Sequence, residues 1–118
     1  MSEPLEKLMN ANLLEVFNER DYDLRLEAAQ RTYAEEIEFY DAEGHVIGQE
    51  AIVTKAQGLL DGAPEFVFSP AGPVRIVDNM GYLTWNLGPE GADPVVQGVD
   101  IGFAEGGLLT KVYTVLFS

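Results

Sequence analysis

The chain contains no cysteine, which excludes disulfides and thiolate-ligated metals and leaves noncovalent packing to hold the fold. Cations are scarce: seven Lys and Arg stand against twenty Asp and Glu, a formal charge of −13. Such a chain repels phosphate backbones and anionic bilayers, so neither nucleic acid nor a membrane surface is expected as a partner. Only Lys55, Arg75 and Lys111 fall beyond the first two helical segments, which turns expectation toward neutral, apolar or weakly polar small molecules. His45 is the sole histidine; with no second imidazole it offers no metal site and reads as an exposed turn residue. No apolar run approaches the roughly 20 residues that span a bilayer. The start, Met1-Ser2-Glu3-Pro4-Leu5-Glu6, lacks the basic segment and apolar stretch of a secretory signal, so the expected compartment is the cytoplasm. Gly102, Gly106 and Gly107 surround a hairpin and do not lead from a strand into a helix, so no phosphate-binding loop, and no cofactor, is expected.

What is present is enough apolar material for one packed domain over residues 1–118: 47% of the residues are hydrophobic. Leu5, Leu8, Met9, Leu13, Val16 and Phe17 recur at steps of three and four, which predicts a helix from Leu5 to Arg20 with Ser2 as its N-cap. Asp21 or Asp23 then caps a second helix whose inward stripe is Leu26, Ala29 and Tyr33, widened by Leu24 and Ala28. From Ile37 the period drops to two, with Ile37, Phe39 and Asp41 on one face of a strand and Glu38 and Tyr40 on the other. After a turn at Ala42-Glu43-Gly44-His45 and a short extended Val46-Ile47, Gly48 precedes a third helix carrying Ile52, Val53, Ala56, Leu59 and Leu60, ended by Gly62 and Pro64. Five extended segments follow: Phe66 to Phe68, Val74 to Val77, Tyr82 to Leu87, Val95 to Phe103 and Leu108 to Phe117. Helices first and strands afterwards define an α+β domain.

The long strands carry the candidate chemistry. On Val95 to Phe103 one face is Val95, Gln97, Val99, Ile101 and Phe103, and the other is Val96, Gly98, Asp100 and Gly102. Asp100 between two glycines has space above it where a ligand or another backbone could approach; the alternative is an Asp on a solvated face. Asp41 shares its face with Ile37 and Phe39, as either a carboxylate against an apolar cavity or a turn residue accepting backbone hydrogen bonds. Trp85 lies with Leu83 and Leu87, as a flat cavity wall with an N–H donor or as core. The last strand is apolar on both faces, so helices on one side of the sheet would leave a large patch exposed. A sheet-to-sheet homodimer is therefore expected.

Four local patterns recur in this order: Asn18-Glu19-Arg20-Asp21, Tyr33 through Asp41, Gly48-Gln49-Glu50-Ala51-Ile52, and Gly98-Val99-Asp100 with Gly106-Gly107 before the last strand. In these and in the order of its elements the chain resembles the nuclear-transport-factor-2-like superfamily, in the branch of SnoaL-like polyketide cyclases and steroid Δ-isomerases. The resemblance implies a cone-shaped roll: three N-terminal helices packed in a strongly curved, mixed but mainly antiparallel sheet, with an internal pocket. It implies a pocket wall drawn from Leu13, Phe17, Tyr33, Phe39, Trp85, Tyr113, Val115 and Phe117. It also implies cofactor-independent proton transfer of isomerase or cyclase type by Asp41 or Asp100, or else a non-catalytic binding or dimerising domain of the same fold. In the steroid-isomerase branch the position matching Asp41 holds the carboxylate base. The position matching Asp100 holds a protonated acid that donates to the developing enolate, a pairing for which ketosteroid isomerase is the reference case. The tyrosine that branch places on its first helix is Leu13 here, which leaves Tyr33, Tyr40 or Tyr113 as alternative hydroxyls. His45 stands in a turn, and Arg75 is the lone sheet arginine for an epoxide-hydrolase type of site.

Overall fold

The first apolar stripe forms a helix that changes pitch part-way. In the computed structural model, which describes residues 2–117, α1 (Ser2–Ala11) runs directly into a π-helical stretch, Asn12–Phe17. Leu5, Met9, Asn12, Leu13 and Val16 are buried along it. The expected cap at Ser2 concerns a side chain outside the described part. The helix ends at Phe17, short of the expected Arg20, where the Asn18 amide closes onto the Leu13 carbonyl at 3.1 Å.

The Asn18-to-Asp21 pattern is entirely structural. Asn18 Oδ1 accepts from the Phe68 amide at 2.8 Å. Glu19 accepts from the Asp21 amide, and Asp21 caps α2 (Tyr22–Thr32) by accepting from the Leu24 amide at 3.0 Å. The Arg20 guanidinium donates to the carbonyls of Leu60, Ala63 and Phe66 at 2.6–2.9 Å, satisfying the end of α3 (Gln49–Asp61) and the entry to β3 (Phe66–Pro70). Replacing Arg20 by alanine is expected to lower stability by about 1–2 kcal/mol, read as a lower denaturant midpoint with unchanged slope. An unchanged midpoint would mean that water serves those carbonyls equally well.

The stripe expected for α2 needs correction. Leu24 is exposed and Arg25 takes the buried position, its Nε donating to the Val16 carbonyl at 2.7 Å and Nη1 to Gln57 Oε1 at 2.7 Å. The end of the π-helical stretch leaves carbonyls without helical partners, and a guanidinium reaching across from the neighbouring helix satisfies one of them. Burial holds the Arg25 pKa below its usual value.

Tyr33 is also not helical: with φ −109° and ψ 146° it opens β1 (Tyr33–Asp41), four residues before the expected start. The remaining strands are β2 (Gly44–Ile47), β4 (Arg75–Val77), β5 (Met80–Pro89), β6 (Val96–Glu105) and β7 (Leu108–Leu116). They form one sheet in the order β2-β1-β7-β6-β5-β3, with β4 on β5. Among the described strands β1 with β7 is the one parallel pair, made by two strands that lie far apart in sequence. Register shifts at Tyr33/Glu38 and Phe103/Ala104 add the local twist that bends a sheet. The result is a cone-shaped α+β fold. Ile37, Phe39, Leu83, Trp85, Leu87, Leu109 and Val112 join the helices in its core. No helix among the described residues is long and apolar enough to cross a membrane.

Candidate functional site

Between the concave sheet face and the helices lies a cavity of about 620 Å³. Its walls are mostly apolar, with Leu13 and Phe17 from the π-helical stretch, Phe39, Phe68, Trp85, Leu87 and Val96 from the sheet, and Leu59 from α3. Asp41 and Asp100 line this same cavity.

Strand register places Asp100. It pairs with Leu83 on β5 and Thr114 on β7, so all three share the concave face. Trp85 pairs with Gly98, and a Cβ on Gly98 would stand 2.6 Å from Trp85 Cζ2 and 2.7 Å from the Val115 carbonyl. Only a glycine lets the indole lie flat across β6, and from there Trp85 Nε1 donates to Asp100 Oδ1 at 3.0 Å. On the other side a Cβ on Gly102 would meet Met9 Sδ at 2.7 Å. The space expected between the two glycines is therefore filled by Trp85 and Met9, and the opening toward ligand lies along the carboxylate.

Asp100 is 4% exposed and its carboxylate accepts three hydrogen bonds: Trp85 Nε1 and Thr114 Oγ1 (2.7 Å) on Oδ1, and Asn12 Nδ2 (3.0 Å) on Oδ2. Burial pushes its pKa up to about 6, against the opposing pull of the Thr114, Trp85 and Asn12 hydrogen bonds. Asn12 is itself fully buried and accepts from the Tyr33 hydroxyl on Oδ1. The Tyr33 pKa is raised by burial and by the nearby Asp100, so the hydroxyl keeps its proton and remains a donor.

Asp41 sits at the mouth. Its Oδ1 accepts from the Glu43 amide at 3.0 Å and its Oδ2 meets Lys55 Nζ at 3.1 Å; Lys55 also reaches Glu43 at 2.7 Å. Hydrogen bonding to Glu43, reinforced by Asp41, raises the Lys55 pKa despite some desolvation. Lys55 is thus a fixed cation at the rim, and the two acids have different surroundings.

The other expected wall residues divide by strand face. Leu13, Phe17, Phe39 and Trp85 line the cavity. Tyr33 does not; it stands behind Asn12. Tyr113, Val115 and Phe117 are 37%, 48% and 51% exposed and do not line it either. The Asp100–Thr114 pairing sends Val112, Thr114 and Leu116 inward, so Thr114 and Leu116 take the wall instead. On the convex side Tyr113 stacks on Tyr40 with ring centroids 4.6 Å apart, and exposed His45, which lies on β2 and not in the expected turn, stacks on Tyr40 from the other neighbouring strand at 5.0 Å. Arg75, on β4, is exposed and absent from the cavity wall.

No protein-family model and no curated protein matches the chain. Solved structures match over nearly its whole length, and the fold they define is the SnoaL-like, nuclear-transport-factor-2-like fold. A proposed isomerase of the SnoaL-like family from Agrobacterium tumefaciens is 23% identical, with each chain covered over 100% and a TM-score of 0.89. A proposed polyketide cyclase from Sinorhizobium meliloti is 16% identical over 97% of this chain and 98% of that one, with a TM-score of 0.73. A proposed ketosteroid isomerase from Kribbella flavida is 13% identical over 98% and 79%, with a TM-score of 0.67.

Proposed function

We infer that the cavity binds a mostly apolar, oxygen-bearing small molecule and that Asp100 moves a proton on it as a general base, without a cofactor. The observation that carries this reading is the polarity of the hydrogen bonds at Asp100: all three neighbours donate to it. A carboxylate has about four acceptor sites, so one remains for a proton from the ligand. A group held near pKa 6 is mostly ionised at neutral pH yet basic enough to take a proton, the range that suits a general base. The resemblance implies the opposite role for this position, a protonated donor. Two of its three neighbours, the Trp85 N–H and the Asn12 NH2, can only donate to it as they stand.

The indole N–H, the Asn12 amide and the Thr114 hydroxyl are occupied by Asp100 and cannot also stabilise an oxyanion. Lys55 is the one cation among the described wall residues, so it is the group toward which negative charge on the ligand oxygen would develop. Asp41 then holds Lys55 at the rim. Deuterium exchange into a panel of apolar ketones and β-diketones tests this assignment. Asp100→Asn is expected to slow exchange by about 10²–10⁴-fold, and Asp41→Asn by less than about tenfold. If wild-type protein binds members of the panel but exchanges none, the cavity belongs to a binding domain.

We also propose a homodimer through the convex sheet face. Ile101 and Phe103 of β6 pair with Tyr113 and Lys111 of β7 there, beside exposed Val115. On a chain of charge −13 this is a face of mostly apolar and aromatic side chains, where two copies approach with least repulsion. Val115→Glu is expected to convert the dimer to monomer in sedimentation analysis. A wild-type monomer at high micromolar concentration would contradict it.

A further inference from the structure

We propose that Tyr33 is a positioning residue for the site: by donating to Asn12 Oδ1 it fixes the Asn12 carboxamide with its NH2 toward Asp100, and so holds Asp100 as the carboxylate that accepts. This rests on the reading of Asp100 as the base and adds the device that selects its charge state.

A carboxamide has two orientations related by a half-turn, and the two serve opposite forms of a neighbouring carboxyl. With NH2 toward Asp100, Asn12 stabilises the carboxylate; with the oxygen toward it, Asn12 would accept from the protonated acid. Tyr33 decides between them. Its hydroxyl lies in a fully buried ring and hydrogen-bonds to Asn12, with no other side-chain partner among the described residues. Turning the amide over would point NH2 at the phenol oxygen and leave the phenol hydrogen without an acceptor in a dry interior, which is costly. The locked orientation also takes away the partner that a proton on Asp100 Oδ2 would need. On Oδ1, the Trp85 N–H can only donate, and Thr114 alone can rotate from donor to acceptor.

Asn12 opens the π-helical stretch and is buried there beside Leu13. Such local widenings recur at functional sites. The groups facing Asp100 are Asn12 from that stretch, Trp85 from β5 and Thr114 from β7, with Tyr33 of β1 behind Asn12. Asp41, Glu43 and Lys55 share the cavity wall, and the Arg25 guanidinium acts electrostatically on Tyr33 from α2.

The test is a carboxyl carbon NMR titration of Asp100 in wild type, Tyr33→Phe, Asn12→Leu and the double variant. Tyr33→Phe is expected to raise the Asp100 midpoint by about one pH unit, because the freed amide can turn to accept from the acid. Asn12→Leu is expected to raise it at least as far, and adding Tyr33→Phe to Asn12→Leu to move it no further. Should Asn12→Leu fail to fold, Asn12→Ala, which leaves room for a water at the phenol, replaces it in the comparison. An unchanged or lowered midpoint in Tyr33→Phe, or equal shifts with and without Asn12, would overturn the lock. If instead the wild-type midpoint is that of an ordinary surface Asp, it is the base assignment that fails.

Discussion

Asp100→Asn is expected to remove a pH-dependent part of the folding stability amounting to about 2 kcal/mol between pH 7 and pH 4. In the folded chain the Asp100 pKa is raised to about 6 by burial, whereas the unfolded chain titrates at about 3.9. The folded state therefore binds a proton more tightly. Its stabilising effect is complete below the unfolded value, declines as pH rises, and is lost once pH passes through about 6. Denaturant unfolding of both proteins from pH 4 to 8 gives the difference directly, since other carboxyl groups contribute alike to the two curves. Wild type should gain on the variant as pH falls from 7 to 4. Curves that stay parallel would mean that Asp100 titrates alike in the folded and unfolded chains.

Gly98→Ala is expected to destabilise the fold by about 3 kcal/mol. The added methyl would lie 2.6 Å from Trp85 Cζ2 and 2.7 Å from the Val115 carbonyl; the first clash can be relieved only by moving the indole, the second only by opening the β6–β7 ladder. Moving the indole also withdraws the Nε1 donor from Asp100, so the same variant should raise the Asp100 pKa. The two effects share a cause, which a double-mutant cycle exposes. In a Trp85→Leu background the cost of Gly98→Ala should fall by about 1 kcal/mol or more. Strict additivity would show that the glycine serves the strand pairing alone.

Much of the architecture is legible in the sequence because it rests on local periodicity. The alternation of Leu83, Trp85 and Leu87 with Tyr82, Thr84 and Asn86 matches the buried and half-buried faces of β5. Gly48 and Gly62 flank α3 as expected. Local pattern fails where distant pairing decides. β7 is apolar on both faces, so nothing within it tells which face is concave; its pairing of Thr114 with Asp100 does, and that sends Tyr113, Val115 and Phe117 outward. Tyr33 continues the i, i+4 spacing from Ala29, and no glycine or proline marks the break, so it reads as helix. Asn12 had a signal of its own. It falls three residues after Met9 on the inward stripe, where a polar side chain has to be satisfied by something. Lys55 gave none, because a single lysine on a helix reads as a solvated charge until the fold brings Asp41 and Glu43 to it.

The proposed chemistry depends on one carboxyl group, sunk in an apolar wall, being kept ionised by neutral donors. A site-resolved titration of the Asp100 carboxyl carbon in the wild-type protein measures it. The expected midpoint is near pH 6, with Asp100 ionised at neutrality. A midpoint at or below about 4 would mean a solvated carboxylate, and one above about 8 a protonated acid acting as donor. Either would remove Asp100 as the base.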